Sequence, residues 1–553
     1  MRLSSILRYW HTLKYLRPVQ FYGRLWFRFH RPRPSLVDLP ARRIAISGWQ
    51  RPAEKEPSLV NDGEFRFLNE TGKLEVIGWD CEQRSKLWRY NQHYFDDLNA
   101  KAASERFEWH RLILLGWVSD NPVGEGSGWE PYPTSLRIVN WVKWACVGNQ
   151  LPPECEESLA VQARWLTGRL EIHLLGNHLF ANAKALVFAG CYFEGPEAES
   201  WVVRGLKILE REVPEQILAD GGHFERSTMY HAMALEDRLD LVNLLGVVEC
   251  ESSSFAVRTR HFVALCRQKI PSMIQWMNAM CHPDGDIAFF NDAAFGIAPS
   301  PFSLRAYADR LGFKGREVAK RLIPLQESGY FRLATEDACV LFDAAAVGPD
   351  YLPGHAHADT LSFELSFWGH RLLVNSGTSE YGISSERLRQ RSTAAHNTVE
   401  VNGEDSSEVW SGFRTARRAY PFDVTYRETE SGQHVSACHN GYRRLPSSVS
   451  VCRSLELAGD SLTVTDYLDG QWQIAVARFF LHPGIAAYDE GKAGIRLRLP
   501  GGEECILEFI GAGQISLIDA TWHPRFGVTE QSRCIRVEFT EDRLVSRFYW
   551  GQR

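Results

Sequence analysis

The 553-residue sequence predicts an α+β fold in which a helical domain precedes an antiparallel β-sandwich. Two observations predict it. Between residues 86 and 325, apolar residues recur at three- and four-residue spacing, which is the period of amphipathic helices. Between residues 326 and 553, short runs alternate apolar and polar residues between Gly, Asp and Pro turns, which is typical of antiparallel strands. We expect these two ranges to be the main domains.

The elements follow in order along the chain. Residues 1–85 predict a basic, aromatic N-terminal helix and then an irregular arm. No strand pattern separates the helical segments that follow, so we expect antiparallel helix pairs. Those segments are 136–144, 159–174, 179–188, 201–218, 229–247 and 255–280, and the clearest strands are 338–342, 461–465, 495–499, 505–509, 535–539 and 545–549.

The composition is that of a globular protein, with 44% hydrophobic and 24% charged residues. A net charge of -6 argues against nucleic acid as a partner, because binding nucleic acid requires a broad basic surface. The twelve cysteines include no C-x-x-C pair, which predicts reduced, buried thiols. The sequence has no apolar signal core near its N-terminus and no run long enough for a transmembrane helix. We therefore expect a cytoplasmic protein.

Residues 1–34 combine basic and aromatic side chains, and no acidic residue precedes Asp38. This segment has two interpretations. A basic aromatic helix can lie on an anionic membrane surface, which would make the protein peripheral to a membrane. Alternatively, the helix packs its aromatic face on the main domain. The sequence favours the second interpretation, because it is the more common arrangement.

Two clusters of polar residues lie at predicted helix starts. Asn177 and His178 follow a glycine, where an asparagine could simply cap the helix. Tyr230 and His231 fall in the first turn of a helix that Ser227 would cap, where a tyrosine more often packs than reacts. Each cluster alone is compatible with an ordinary structural role.

The third cluster is the sequence G-H-A-H-A-D at residues 354–359, which contains His355 and His357 and precedes an alternating run ending at Phe367. If a strand begins within the pair, both rings project to the same side of the sheet. Two adjacent imidazoles can divide the roles of proton acceptor, proton donor and metal ligand. The alternative is a pair of ordinary hydrogen-bonded histidines.

Taken with A-H-N-T-V at residues 395–399, these clusters resemble the heparinase II/III-like polysaccharide lyases, a family that includes alginate lyases. The resemblance covers most of residues 85–550 and rests on the order of the motifs along the chain. It implies an incomplete (α/α) toroid followed by an antiparallel β-sandwich. It also implies an acidic polysaccharide or oligosaccharide as partner, cleaved at a uronic acid by β-elimination.

By the same resemblance, Asn177, His178, Tyr230 and His355 are the catalytic candidates. An amide such as Asn177, helped by His178, can stabilise the charge that develops on the uronate carboxylate. Tyr230 and His355 would divide the removal of the C5 proton and the protonation of the leaving O4, and the sequence leaves open which does which. To act as a base, Tyr230 would need nearby positive charge, which Arg226 could supply.

Several relatives in that family hold a zinc ion in the β domain through a His, an Asp and a second His. His357 and His396 fall on the histidine positions, whereas Asn375 replaces the Asp. Because Asn lacks the charge that favours zinc, one structural zinc ion and a site without metal both stay open. The resemblance also turns His355 towards the helical domain and His357 inward, towards His396.

Further side chains could bind carboxylate or sulfate groups of the substrate, although ordinary salt bridges explain the arginines equally well. The substrate-binding candidates are Arg137, Arg226, His231, Tyr381 and Arg391. The leading hypothesis is a polysaccharide lyase. A uronate C5-epimerase on the same scaffold and a non-catalytic glycan-binding protein of surface-polysaccharide assembly are the alternatives. The sequence indicates neither the sugar nor the oligomeric state.

Overall fold

The computed structural model describes residues 3–36, 38–43, 48–248, 255–314, 321–491 and 494–550. Its N-terminal part is helical and its C-terminal part consists of antiparallel sheets, so the predicted fold class is confirmed. The α-helices are α1 Leu3–Leu13, α2 Pro18–Phe29, α3 Leu74–Ile77, α4 Lys86–Gln92, α5 Phe107–Asp120, α6 Pro131–Cys146, α7 Pro153–Gly168, α8 Gly176–Tyr192, α9 Pro196–Gln216, α10 Thr228–Val247, α11 Ala256–Ala279, α12 Pro301–Arg310 and α13 Ser385–Arg391.

The N-terminal arm is more regular than the sequence predicts. After α1 and α2, a small antiparallel sheet of β1 (Leu59–Asn61), β2 (Glu64–Phe67) and β3 (Glu70–Lys73) precedes the helical domain. Phe67 of β2 packs edge-on against Trp88 of α4, and both are buried. This contact fixes the arm to the helical domain.

Helices α4 to α12 form the helical domain. Helices α6, α7, α9 and α12 begin with a Pro in the first turn, where the backbone needs no N–H donor. Two glycines bring α8 and α9 together. A Cβ at Gly190 would lie 2.5 Å from the carbonyl oxygen of Ala198, and one at Gly205 would lie 2.6 Å from that of Ala183. Only glycine permits this approach.

The strands of the β domain are β4 Leu322–Leu325, β5 Tyr330–Ala334, β6 Ala338–Asp343, β7 Phe363–Phe367, β8 His370–Leu373, β9 Val399–Val401, β10 Val409–Trp410, β11 Arg414–Thr415, β12 Pro421–Glu428, β13 Gln433–His439, β14 Ser450–Leu457, β15 Ser461–Asp469, β16 Ala475–Phe480, β17 Ala486–Asp489, β18 Ile495–Arg498, β19 Glu504–Ile510, β20 Ala512–Trp522, β21 Glu530–Phe539 and β22 Arg543–Tyr549. Strands β4 to β8 form a five-stranded antiparallel meander. An eight-stranded sheet has the order β12-β13-β14-β15-β22-β19-β18-β17, and a four-stranded sheet has the order β20-β21-β16-β9.

The β4–β8 sheet joins the two domains because its faces alternate. Tyr330 of β5 packs on Trp276 of α11, whereas its neighbours Phe331 and Leu333 belong to the core of the sandwich. Strand β4 lies before the predicted domain boundary at residue 326. It nevertheless belongs to the β domain, because it pairs with β5.

One expectation about the cysteines is wrong. Cys438 of β13 and Cys452 of β14 are directly opposite each other and form a disulfide, so the thiols are not all reduced. Among the helices that the structure describes, none has the length and apolarity needed to cross a bilayer.

Candidate functional site

The candidate site lies where the first turn of α10 meets the loop before β7. Ser227 caps α10 and accepts a hydrogen bond from the Tyr230 N–H, as predicted. The Tyr230 ring stacks on His355, with centroids 3.9 Å apart. The Tyr230 hydroxyl lies 3.1 Å from that of Tyr381, a residue predicted to bind substrate. The two domains therefore bring together one contiguous set of side chains that can donate or accept protons.

Asp292 holds this set together from the loop between α11 and α12. Its fully buried carboxylate accepts hydrogen bonds from His355 Nδ1 at 2.9 Å and from His357 Nε2 at 2.8 Å. Arg387 of α13 donates to both carboxylate oxygens. Burial alone would raise the pKa of Asp292, but Arg387 and the two histidines outweigh burial and hold that pKa well below its ordinary value. The carboxylate is therefore ionised.

The two histidines bracket one carboxylate, which the strand pattern does not predict. Residues 354–362 are irregular, and β7 begins only at Phe363. The His357 N–H donates to Asn291 Oδ1, and the Asp292 N–H donates to the His355 carbonyl. The expectation that a strand begins within the pair and gives both rings a shared sheet face is wrong.

Asp292 also fixes the tautomer of His355. Because an ionised carboxylate can only accept, Nδ1 carries the proton and Nε2 presents a lone pair. Nε2 lies 3.7 Å from Glu225 Oε2, and the His355 side chain keeps 15% of its surface exposed. A lone pair in this position can accept a proton from a bound molecule.

Glu225 and Asp292 are site residues that the sequence analysis missed. Glu225 is buried, and neither of its carboxylate oxygens has a hydrogen-bond partner among the described residues. Burial raises the pKa of Glu225, against the opposing effect of His355. The available signal was an acid two positions before a helix cap. Asp292 gave none, because its loop has no periodic pattern.

Asn177 lines a cavity together with Tyr132 and Tyr230. The helix cap of α8 is Leu175, which adopts a left-handed backbone with a φ of 62°. The interpretation of Asn177 as a simple helix cap is therefore wrong. Its amide is available on the wall of the cavity that Tyr230 also lines.

His178 follows Asn177 and lies beside Tyr132. Its ring packs on Tyr132 with centroids 4.5 Å apart, and its Nδ1 lies 3.2 Å from Glu171 Oε2. Burial lowers the pKa of His178, but Glu171 and Glu225 together outweigh burial and raise that pKa above its ordinary value. His178 is therefore suited to carry a positive charge near neutral pH.

Comparison with protein-family models identifies two regions of the chain. Residues 156–303 match the heparinase II/III N-terminus, and residues 317–551 match the heparinase II/III-like C-terminal domain. The chain belongs to the heparinase II/III-like family. Both family regions contribute to the site, the first through Tyr230 and Asp292 and the second through His355.

Curated relatives in this family include two heparin-sulfate lyases. That of Bacteroides stercoris is 28% identical over an alignment of 395 residues, covering 60% of this chain and 56% of the relative. That of Pedobacter heparinus is 24% identical over an alignment of 327 residues, covering 54% of this chain and 47% of the relative. The chain thus spans about half the length of these lyases. FtsZ-localized protein C of Caulobacter vibrioides is 24% identical over 499 residues, covering 83% of this chain and 78% of the relative.

Solved structures of heparinases share the fold. A crystal structure of heparinase III aligns with a TM-score of 0.65 at 16% identity, covering 96% of this chain and 90% of the other. Heparan sulfate lyase HepC from Pedobacter heparinus aligns with a TM-score of 0.56 at 17% identity, covering 97% and 88%. The toroid and sandwich implied by the family resemblance are therefore confirmed as the fold.

Two residues that the sequence analysis names as substrate-binding candidates lie in the protein core. Arg137 is fully buried, donates to Gln162 and lies over the Trp117 ring, 3.7 Å from its centroid. His231 is also fully buried and packs on Trp276. Because neither side chain reaches the cavity surface, the expectation that they bind substrate is wrong.

Two further arginines have structural contacts. Arg391 is buried and donates two hydrogen bonds to the carbonyl of Ala356, between the two histidines, so it positions them rather than a substrate. The Arg226 guanidinium donates to the Ala346 carbonyl. Burial raises the pKa of Tyr230 well above its ordinary value. The expected activation of Tyr230 by Arg226 is therefore wrong.

His357 and His396 meet on the inner side of the site, as the family resemblance implies. His357 Nδ1 lies 3.1 Å from His396 Nε2, and Asp359 offers a carboxylate oxygen within 4.8 Å of both ligand nitrogens. The other nitrogen of each ring is already engaged, with Asp292 for His357 and with the Ser392 carbonyl for His396. Both rings thus place their protons outward, and two lone pairs face each other.

Facing lone pairs repel unless a cation lies beside them. Burial lowers the pKa of both histidines, that of His396 to about 4, so protonation does not provide this charge. Two imidazoles and a carboxylate match a zinc donor set, and their outer hydrogen bonds are the usual support of such ligands. The assignment of Asn375 as third ligand needs correction. Its amide donates to the Phe289 carbonyl and accepts from the Asn397 N–H, and Asp359 is the acid beside the histidines.

Proposed function

We propose that this protein is a polysaccharide lyase that cleaves a uronic-acid-containing acidic glycan by β-elimination. The stacked pair of Tyr230 and His355 carries the proposal, because Asp292 holds the imidazole and Asn177 lines the adjoining cavity. Elimination beside a carboxylate needs a base, an acid and groups that neutralise the carboxylate. These side chains provide all three.

His355 is the base in this proposal. Its Nε2 removes the C5 proton, the electron pair of that C–H bond becomes the C4–C5 double bond, and the C4–O4 bond breaks. The imidazolium that forms is stabilised by Asp292 at 2.9 Å and by Glu225 at 3.7 Å. Asn177 and a protonated His178 donate hydrogen bonds to the substrate carboxylate and stabilise the charge that develops there while the elimination proceeds.

Tyr230 is the acid. Burial, and then the neighbouring Tyr381 and Asp292, raise the pKa of Tyr230 well above its ordinary value, so the phenol keeps its proton until O4 departs. The departing oxygen takes that proton. Tyr381, with its hydroxyl 3.1 Å away, is the next group in line to return one.

The stacking of the Tyr230 and His355 rings also favours a syn elimination, in which base and acid act on the same face of the sugar. Because Tyr230 and His355 lie side by side, they approach a sugar from the same face. A syn elimination requires C5–H and O4 on one face, which is the case in D-gluco- and D-manno-configured uronates. We propose a substrate of this configuration.

The charges of the cavity favour a carboxylated rather than a densely sulfated glycan. Its lining includes Lys55, Lys143 and Lys184. Lys55 pairs with Asp96, and the other two lysines share Asp240. These cations are therefore already neutralised before substrate binds.

Activity is tested by the ultraviolet absorbance of the new double bond, which is conjugated with the carboxylate. Unsulfated glucuronate polymers should give this signal, and iduronate polymers should not. Tyr230→Phe should lower kcat about 10²–10⁴-fold because it removes the acid. Tyr488→Phe, at an exposed site on β17, is the matched control and should keep full activity. Solvent deuterium entering C5 without absorbance would instead identify an epimerase.

One observation favours a second candidate, a non-catalytic glycan-binding protein of surface-polysaccharide assembly. Of the relatives named above, FtsZ-localized protein C is matched over the largest share of its own length, 78%. Its name gives a location and no reaction. In that case Tyr230→Phe would leave glycan binding and cellular function intact, and no glycan would give the absorbance signal.

We also propose one structural zinc ion held by His357, His396 and Asp359. Such an ion would supply the positive charge that the two facing imidazole lone pairs lack. Elemental analysis of the purified protein tests it, and His396→Ala should remove the metal. A wild-type protein that binds no metal after incubation with zinc would contradict the proposal.

A further inference from the structure

The helix pair α1–α2 exposes an unusual amount of apolar surface. Ten of the 29 large apolar side chains that are exposed among the described residues lie in these two short helices. Trp10 and Leu25 are each 63% exposed, Trp26 is 58% exposed and Phe29 is 78% exposed. The favoured expectation, that the aromatic face packs on the main domain, is therefore met only in part, by Phe27 on His173 and by Tyr9 against Trp410.

The side of α2 that faces the protein carries the half-buried Phe27 beside two buried residues that are polar or small. Its buried residues are Gln20, which donates to the Tyr351 carbonyl, and Gly23, which lies against His173. A surface helix normally buries its apolar stripe and exposes its polar face. Because α2 buries Gln20 and Gly23 and exposes most of its apolar side chains, most of its apolar surface remains available to another apolar phase.

The charge of this segment is of one sign. Arg24 and Arg28 are exposed among the aromatic residues of α2, and no acidic residue precedes Asp38 in the chain. A partner that matches the segment has an anionic surface above an apolar interior, which describes a bilayer containing anionic lipids. Tryptophans such as Trp10 and Trp26 favour the headgroup level of a bilayer. A second copy of the chain would bring like charges together.

We propose that α1 and α2 dock the protein on an anionic lipid surface. The aromatic side chains enter the headgroup region, and Arg24 and Arg28 lie on lipid phosphates. The N-terminal segment that contains these helices contacts both loops that lead to the candidate site. Phe27 packs on His173, shortly before Asn177 in sequence, and Arg17 stacks on Tyr351, shortly before His355. Docking would therefore hold the site close to glycans carried at a membrane.

The test is sedimentation of the full-length protein with vesicles of phosphatidylcholine, with and without phosphatidylglycerol. We expect binding only to the anionic vesicles, weakened by salt. Arg24→Gln combined with Arg28→Gln should weaken binding about 25-fold, since each basic residue near the surface contributes about fivefold. Trp26→Ser combined with Phe29→Ser should abolish it.

The matched controls remove similar side chains elsewhere. Val257→Ser with Phe302→Ser deletes exposed apolar groups of the helical domain, and Lys207→Gln with Arg260→Gln deletes exposed charges. Both controls should bind like wild type, and thermal unfolding should be unchanged throughout.

Three outcomes would overturn the proposal. The first is no binding to anionic vesicles at low salt, and the second is equal binding by the helix variants and wild type. The third is a dimer in sedimentation velocity that dissociates in the Trp26→Ser, Phe29→Ser variant without any lipid binding by wild type. That result would assign the surface to self-association. None of these outcomes depends on lyase activity.

Discussion

Replacing Asp292 by Asn tests whether one buried carboxylate organises the site. In the wild type, this carboxylate accepts hydrogen bonds from His355, His357 and Arg387. An amide keeps one accepting oxygen but turns a donor towards one of these groups, all of which are donors themselves. We therefore expect two separable losses, one of stability and one of catalysis.

The stability loss follows from the burial of Arg387. This side chain has no exposed surface and pairs with Asp292, which is equally buried. Removing one partner of such a pair costs about 3–5 kcal/mol in the free energy of unfolding, because the remaining charge is buried and uncompensated. Asp466→Asn is the matched control. It breaks the equally buried pair with Arg453 in the β domain and should cost about the same.

The catalytic loss follows from the tautomer of His355. With an amide N–H facing Nδ1, the imidazole proton moves to Nε2, which then has no lone pair for the C5 proton. The corresponding Asp-to-Asn change in a Ser–His–Asp triad lowers kcat about 10⁴-fold. We expect a loss of about 10³–10⁴-fold for Asp292→Asn and none for Asp466→Asn.

Urea unfolding followed by tryptophan fluorescence measures the first loss, and absorbance of the unsaturated product measures the second. Combining Asp292→Asn with Arg387→Gln removes the unpaired charge, so stability should partly recover while activity stays lost. If Asp292→Asn retains kcat within about tenfold, or if the double variant recovers activity, Asp292 does not set the tautomer.

Three further predictions concern the surrounding groups. Glu225→Gln should lower kcat/KM about 10–100-fold, because a buried carboxylate 3.7 Å from the imidazolium is removed, and unchanged kinetics would contradict this role. Tyr381→Phe should lower kcat about tenfold without raising KM, because Tyr230 loses its hydroxyl partner; a rise in KM alone would indicate substrate binding instead. Because the pKa of Asp292 is lowered in the folded state, its stabilising contribution exists above the unfolded pKa of about 3.9 and is lost as pH falls further. Acid unfolding of Asp292→Asn should therefore lack this component, and an acid transition identical to that of wild type would contradict it.

The sequence was sufficient to predict the fold class, because the spacing of apolar residues that distinguishes helices from strands is a local property of the chain. The change from helical spacing to alternation locates the two domains, and Ser227 correctly marks the start of α10. Motif order also brought Tyr230 and His355 together, although they are far apart in the chain. Nothing local could show that Asp292, in a loop without period, would lie between two histidines.

Side-chain direction was the other limit. Nothing in the sequence indicates that Arg137 lies over Trp117 in the core or that Arg387 holds Asp292. Their roles depend on tertiary packing, which decides which residues surround a helix face. The same limit explains α2, where the pattern shows an apolar face but not whether that face is covered.

The arrangement around Asp292 also separates the proposed proton-transfer site from the proposed metal site. His355 binds one carboxylate oxygen, Oδ2, and His357 binds the other, Oδ1, while Arg387 donates to both. Loss of the metal through His396→Ala would free His357 on one side only, because Arg387 still holds the carboxylate that orients His355. We therefore expect that variant to unfold at a lower temperature but to keep kcat within about tenfold of wild type. A much larger loss of kcat, in a variant that remains folded, would show that the orientation of His355 depends on His357 rather than on Arg387.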